Sequence, residues 1–498
     1  MPRFTYQDYR KKMSIIADLR YASAVLQWDQ ETYLPAKGAA RRGQQVATLA
    51  EAAHERFTAP ETGELLQAFA NVGGLTASEQ RNVELSLEDF EKLKKIPASY
   101  VHQLASTTQQ AFHHWVEARK NNDFRLFAGS LQQLVELKKQ EAGYLGYLAH
   151  PYDALLNDHD KGSTVAQLDQ LFGDLKTPLK ELLDRIQKKP VPDNSLLRNK
   201  FPHEQQWQFG MKILERLGYD FEAGRQDIAA HPFTIHFCAG DVRITTRIDE
   251  NDFTNMTWST IHEAGHALYE QGLPDDEYGL PLGEAASFSI HESQSRLWEN
   301  HVGRSQAFFR FIGPLLKEYF PDAFRELDSE NLYRAVNTVS PSLIRTEADE
   351  LTYHFHVMIR YELEKALFSN TLKPGDIPAA WNELYRNYLG ITVPDNSNGC
   401  LQDVHWSHGS FGYFPTYSLG SFYAAQFFHT ASKTINGLNE QIGNGNFTPL
   451  LNWLREQVHA HGRRWTSEEL CLKISGEPLN TRYFMDYLLD KYGKIYQL

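Results

Sequence analysis

Two histidines four residues apart, with a glutamate directly after the first, stand near the middle of this chain in the run His262-Glu263-Ala-Gly-His266. On an α-helix, positions i and i+4 share one face a turn apart, so both imidazoles can reach a single zinc ion. Glu263 is rotated slightly off that line, toward the place of a zinc-activated water, where a carboxylate serves as general base. The chemistry needs a helix, and the local residues supply one. Asn255 or Thr254 can cap it, Ile261, Leu268 and Tyr269 give it an apolar face, and Gly272 can end it.

A catalytic zinc takes three protein ligands and keeps one position open. One way to complete the set places a glycine three residues after the second histidine and a further histidine three beyond that; here those places hold Tyr269 and Gly272. The third ligand must therefore come from another helix. Glu284, Glu292 and Glu299 are the candidates in the stretch that follows, and spacing leans toward Glu292, between His291 and Ser293-Gln294-Ser295. Cys238, Cys400 and Cys471 are far apart and form no C-x-x-C pair. That fits reduced thiols in a cytoplasmic protein and leaves metal binding to histidines and carboxylates.

The elements that position these groups are overwhelmingly helical. The chain has 498 residues, 42% hydrophobic and 23% charged, the composition of an ordinary globular protein. A net charge of -13 argues against a nucleic-acid or anionic-membrane surface and toward small or peptidic partners. The first residues are polar with no apolar signal core, and no run approaches the roughly 18 apolar residues of a membrane span. Helical periodicity runs through Tyr21 to Gln30, Ala39 to Phe57 and Val165 to Ile186, and Thr76-Ala-Ser-Glu79 is a capping box opening another helix. Later helices are expected over Ala285 to Val302, Phe308 to Tyr319, Leu343 to Leu367, Pro378 to Leu389, Gly412 to Ile435 and Tyr483 to Tyr492. The texture changes once: His231 to Cys238 and Val242 to Ile248 alternate in period two about a turn, which reads as a β-hairpin. Standing just before the zinc motif, it offers an edge on which an extended peptide could pair. No repeat or composition break divides the chain, so residues 1–498 read as one large helical domain, as a single body or as two lobes about a groove.

Several separate motifs then carry a resemblance. His262-Glu-Ala-Gly-His266 followed by His291-Glu-Ser-Gln294 is similar to the carboxypeptidase Taq family of zinc metallocarboxypeptidases. His231-Pro-Phe233 and Asp241-Val-Arg-Ile-Thr245 resemble its segments before the zinc helix. Ile344-Arg-Thr346 resembles its Arg-Thr signature, and Gly399-Cys-Leu-Gln-Asp-Val-His-Trp406 its Gln-Asp-x-His-Trp signature. Trp28-Asp29, Thr32 with Pro35, and Tyr152-Asp-Ala-Leu-Leu156 extend the likeness toward the start.

The resemblance implies a mainly α fold with a small sheet beside a deep substrate groove, a homodimer, and removal of C-terminal residues from peptides with broad specificity, proline commonly being resisted. It implies His262, His266 and Glu292 as ligands of one Zn2+ per chain, which Co2+ or Mn2+ could replace, and Glu263 as the base. Arg345 matches the family's candidate reader of the terminal carboxylate, a role suited to a planar fork of donors. A structural salt bridge to Glu347, Asp349 or Glu350 is the plainer reading of the same arginine. The run His405 to Tyr417 resembles the donor-rich segment near the catalytic centre: Tyr417 or Tyr413 to stabilise the oxyanion, His408 or His405 to bind substrate. Two rival readings remain open, a helical zinc oligopeptidase or dipeptidyl carboxypeptidase, and a helical protein that holds peptide or zinc without catalysis.

Overall fold

The computed structural model describes residues 4–70, 74–326 and 328–498. The chain adopts the mainly α class expected from its periodicity, with one three-stranded sheet among the described residues. None of the helices among them is long and apolar enough to cross a membrane. Two compact units emerge from the chain's internal packing. Unit 1 comprises Met1–Lys94, Asp193–Val336 and Phe427–Pro478; unit 2 comprises Lys95–Pro192, Asn337–Gln426 and Leu479–Leu498.

Where periodicity and caps agree, the helices stand where the sequence puts them. Val165–Ile186 has the expected bounds and buries Leu168, Leu175, Leu179, Leu182 and Ile186 along one stripe. The capping box closes as expected, with Glu79 N–H donating to Thr76 Oγ1 at 3.3 Å and Thr76 N–H to Glu79 Oε2 at 2.7 Å. Two expectations need correction. The helix expected from Ala285 starts at Phe288, because Ser287 Oγ accepts the Ile290 N–H at 3.0 Å and caps it there; after Arg296 it continues as a π-helical turn, Leu297–Val302. The helix expected over Leu343 to Leu367 is only Tyr353–Phe368. Asp349 Oδ1 accepts the N–H groups of Leu351 and Thr352 at 3.0 and 2.9 Å, a local turn that competes with helix, and Arg345–Glu347 form a separate 3-10 turn before it.

The hairpin is present in unit 1 as β2 (Thr234–Cys238) and β3 (Asp241–Thr246), but a further strand, β1 (Gly224–Ile228), pairs parallel to β3 on its other side. The sheet order is therefore β1-β3-β2. Alternation could not reveal β1, because its buried positions are polar. Gln226 and Asp227 are both buried, and Asp227 is held by Arg225 at 2.6 Å and by the Tyr33 hydroxyl.

The helix carrying the His-Glu-x-x-His motif spans Phe253–Glu270 in unit 1. Its cap is Asp252, not Asn255 or Thr254: Asp252 Oδ1 accepts from the N–H groups of Thr254 and Asn255 at 3.0 and 3.1 Å. The helix reaches its end at Glu270, and Gly272 serves packing instead, since a Cβ there would stand 2.3 Å from His459 Nδ1. Phe253, Met256, Ile261, Ala264, Ala267 and Leu268 are fully buried, so the helix is anchored on its apolar side. At Gly265, beside Ile261 and Leu268 on this stripe, it meets the helix Phe288–Arg296 at backbone range. A Cβ on Gly265 would lie 2.5 Å from Ser295 Cα and 2.6 Å from Gln294 O, distances no side chain tolerates. Glycine in a helix interior costs about 1 kcal/mol relative to alanine, and here the close approach offsets that cost.

Replacing this glycine tests the contact. Gly265→Ala should force the two helices apart, lowering stability by about 2 kcal/mol or more and weakening metal uptake. Urea denaturation and metal titration of the variant check this; an unchanged midpoint with unchanged uptake would show that the helices do not depend on the contact.

Candidate metal centre

His262 and His266 project from the motif helix, and Glu292 from the helix that Gly265 admits. One ligand atom from each lies within 4.8 Å of the other two. Glu292 Oε2 is 3.8 Å from His262 Nε2 and 3.5 Å from His266 Nε2. Ligands about 2.0–2.2 Å from a tetrahedral ion stand roughly 3.3 Å from one another, so these atoms fit one divalent metal with little movement. The donor set, two imidazoles and a carboxylate, is of the kind catalytic zinc sites use.

The electrostatics suit a cation. Burial opposes charge on Glu292, but Arg296, whose Nε donates to Oε1 at 2.7 Å, and the two imidazoles outweigh it and hold the carboxyl below its usual range. Burial holds His266 down to about 3, keeping it in the neutral form that binds metal. Glu299, weighed above as a third ligand, instead accepts from His262 Nδ1 at 2.9 Å and pairs with Arg296 and Arg304 at 3.1 and 3.4 Å. These partners bring it down to about 2 against the effect of burial. It fixes the ring so that Nε2 faces Glu292. Glu284 stands apart from the ligand set, paired with Arg463 at 2.8 Å.

Glu263 is buried, and burial raises its carboxyl above the ordinary value, which makes it a better proton acceptor. Thr234 Oγ1, at the start of β2, donates to Glu263 Oε2 at 2.7 Å and so ties the hairpin to the motif helix. The sequence reading did not single out Thr234, although it directly follows the His231-Pro-Phe233 signature.

The remaining candidates belong to unit 2. Arg345 is buried, and its partner is Asp403, not Glu347, Asp349 or Glu350. Its Nε and Nη2 meet Asp403 Oδ1 at 3.0 and 2.9 Å, and Nη1 donates to the Tyr353 hydroxyl at 2.8 Å. Arg360, fully buried on the helix Tyr353–Phe368, holds the other oxygen of Asp403 through Nε at 2.7 Å and Nη2 at 2.5 Å. Two guanidiniums thus share one carboxylate, while burial keeps His356 and His405 low and neutral. A positive charge is left over in this cluster, a disposition that favours an anion. One turn further along the same helix, Glu364 accepts from Tyr152, Trp406 Nε1 and the Gly412 N–H at 2.5, 2.7 and 2.8 Å, and so ties down the segment from Trp406 to Gly412.

Flanking that segment, His405 Nε2 lies 3.4 Å from the Tyr417 hydroxyl, and the rings of Tyr413 and Tyr417 are 5.3 Å apart. The Tyr417 ring also lies under Arg345, 4.9 Å from its guanidinium carbon. His408 is exposed and stacks on Phe112 at 5.4 Å. In unit 1, Arg243 of β3 pairs with Asp241 at 2.8 Å.

Comparison with known proteins gives the chain's family and fold. Residues 8–492 match the family described as Carboxypeptidase Taq (M32) metallopeptidase. The chain is 42% identical to Thermostable carboxypeptidase 1 of Thermus thermophilus, covering 99% of both chains. The solved structure of CHT is similar at a TM-score of 0.97 and 56% identity, over 98% of this chain and 99% of that one. The crystal structure of M32 carboxypeptidase from Deinococcus radiodurans R1 matches at a TM-score of 0.97 and 40% identity, over 99% of each.

Two outcomes follow from these charges. His266, His405 and His459 are each held down to about 3 by burial, so below pH 6.5 the unfolded chain binds protons that the folded chain refuses. Their contribution is complete above pH 6.5 and is lost as pH falls toward 3. Glu364, pushed up to about 7 by burial, works in the opposite sense between its unfolded value near 4.5 and 7, as do the raised Glu263, Asp349 and His262. His356 and the lowered carboxyls Glu292, Glu299 and Asp403 act with the three histidines. The urea midpoint of metal-free protein should therefore fall from pH 6.5 to 4; a rise over that window contradicts the assignment. Asp403→Asn should cost about 3–5 kcal/mol in the same assay, since it leaves two buried guanidiniums without their carboxylate. A loss under about 1 kcal/mol would mean the pairing carries little stability.

Proposed function

Because the chain belongs to the carboxypeptidase Taq (M32) family of metallopeptidases, and by that membership is a peptide hydrolase, we propose that His262, His266 and Glu292 hold one zinc ion and that Glu263 is the general base. The observation that carries the reading is the convergence of three ligand atoms within 4.8 Å, next to a buried carboxylate that is not one of them. When bound, zinc supplies Lewis acidity, polarising the scissile carbonyl and lowering the pKa of water toward ~7. Co2+ or Mn2+ would serve with the same donors.

Glu263, held by Thr234, takes the proton of the attacking water and returns it to the departing amine. Tyr417 donates its hydroxyl to the developing oxyanion, with Tyr413 beside it, and His405 and His408 contact the bound peptide. Arg345 reads the terminal carboxylate, which makes the enzyme an exopeptidase. The surplus positive charge of Arg345 and Arg360 over Asp403 supports this role, and the Asp403 pairing prevents the fork from turning. Residues 1–498 act as a single catalytic domain with broad specificity at the last residue, in a cytoplasmic homodimer.

Glu263→Gln should lower turnover of a free-acid peptide by at least about a hundredfold while zinc stoichiometry, read by metal analysis, stays at wild type. Retained turnover would remove Glu263 from the mechanism. Amidating the peptide's C-terminus should abolish cleavage; an amide cut as fast as the acid would sink the exopeptidase reading in favour of an oligopeptidase.

A further inference from the structure

His262 is oriented by a carboxylate directly, through Glu299. The second imidazole, His266, has no carboxylate on its Nδ1; its partner there is another imidazole, with His291 Nδ1 at 2.5 Å. The ring centres lie 4.5 Å apart and the planes differ by 28°. Face-to-face rings could not bring two nitrogens so close, so the rings meet edge to edge, with a single proton between the nitrogens. The far side of His291 is fixed as well: Nε2 lies 2.7 Å from Glu270 Oε1, and Glu270 is 2% exposed. The same oxygen is 3.3 Å from Nδ1 of His236 on β2.

Hydrogen-bond valence allows one assignment once His266 Nε2 is a ligand. His266 Nδ1 then carries the proton and donates to His291 Nδ1. His291 must be neutral with its proton on Nε2, which donates to the Glu270 carboxylate. Glu270 itself lies four residues after His266, one turn further along the motif helix, so both ends of the relay sit on one rigid element.

Resting on the metal site proposed above, we propose that His291 and Glu270 are positioning residues that fix the tautomer and ring orientation of His266 and raise its basicity toward the metal. A carboxylate that reaches a metal ligand through an intervening imidazole does the work that Glu299 does directly for His262. His236 anchors the outer end of the line from the edge strand of the sheet.

The test is zinc affinity, measured by competition with a chelating indicator, alongside urea denaturation of the metal-free proteins. Wild type should take up one zinc, and His266→Ala should abolish uptake. If His266→Ala binds zinc as wild type does, the metal-site reading fails and this inference with it. Given a wild-type site, His291→Leu should bind zinc roughly 10–100-fold more weakly and the isosteric Glu270→Gln about 10-fold more weakly, with metal-free midpoints unchanged. His291→Gln, whose amide oxygen can still accept from His266, should recover part of the loss. Affinities within twofold of wild type in both His291→Leu and Glu270→Gln would overturn the inference while leaving the metal site intact. Weakened binding that tracks a lowered metal-free midpoint and is not rescued by His291→Gln would overturn it too, since the residues would then be merely structural.

Discussion

The metal centre depends on a place where two helices touch without side chains between them. Gly265 lets the backbone at Gln294 and Ser295 lie against the motif helix, and Glu292 reaches the two imidazoles from there. An ordinary helix pair stands 8–10 Å apart, separated by side chains. At that spacing a glutamate would need a different rotamer or a longer stem to reach the same point. The contact also sets the environment of the ligands. Glu299 falls in the π-helical turn that continues the second helix, Leu297–Val302, and such turns commonly mark functional sites. It meets His262 from a side that Glu292 does not occupy.

Both units bury charge, and each balances it differently. In unit 1 the acids Glu292 and Glu299 are held ionised by Arg296 and Arg304, and two histidines stay near them. In unit 2 the balance differs, with two arginines on one aspartate and neutral histidines around them. Buried ion pairs contribute little net stability, because desolvation offsets most of the attraction. Their value lies in holding a chosen sign of charge at a chosen point.

Much of the site was legible in the sequence because its signals are local. The i, i+4 histidines, the failed single-segment completion and the helical periodicity all concern residues within a turn or two of each other. Resemblance supplied what spacing left open, the choice of Glu292 among three acids. What stayed hidden is long-range or polar. Strand β1 has no apolar alternation, since its buried residues, Gln226 and Asp227, are adjacent and polar. The partner of Arg345 is Asp403, 58 residues away, and not the adjacent acids that composition suggests. The cap Asp252 lies one residue before the helix, and Thr254 and Asn255 just after it are capping types too, so residue type alone does not single it out. Glu299 is one of three acids within reach by spacing, and spacing cannot separate a ligand from the group that orients a ligand.

Unit 1 is assembled from chain segments that are far apart, and this bears on how the protein is made. Its last segment, Phe427–Pro478, supplies the neighbours of the metal-bearing helices. His459 meets Gln294 at 3.1 Å, Ser467 meets Ser287 at 2.7 Å, and Arg463 joins Glu284 to Asp89. The motif helix leaves the ribosome well before His459, Arg463 and Ser467 exist. During synthesis the nascent chain thus holds both histidines, Glu263 and Glu292 while part of their packing surface is still untranslated. A message broken between the codons for Glu292 and Phe427 would yield a polypeptide with the whole ligand set and no completed unit to hold it.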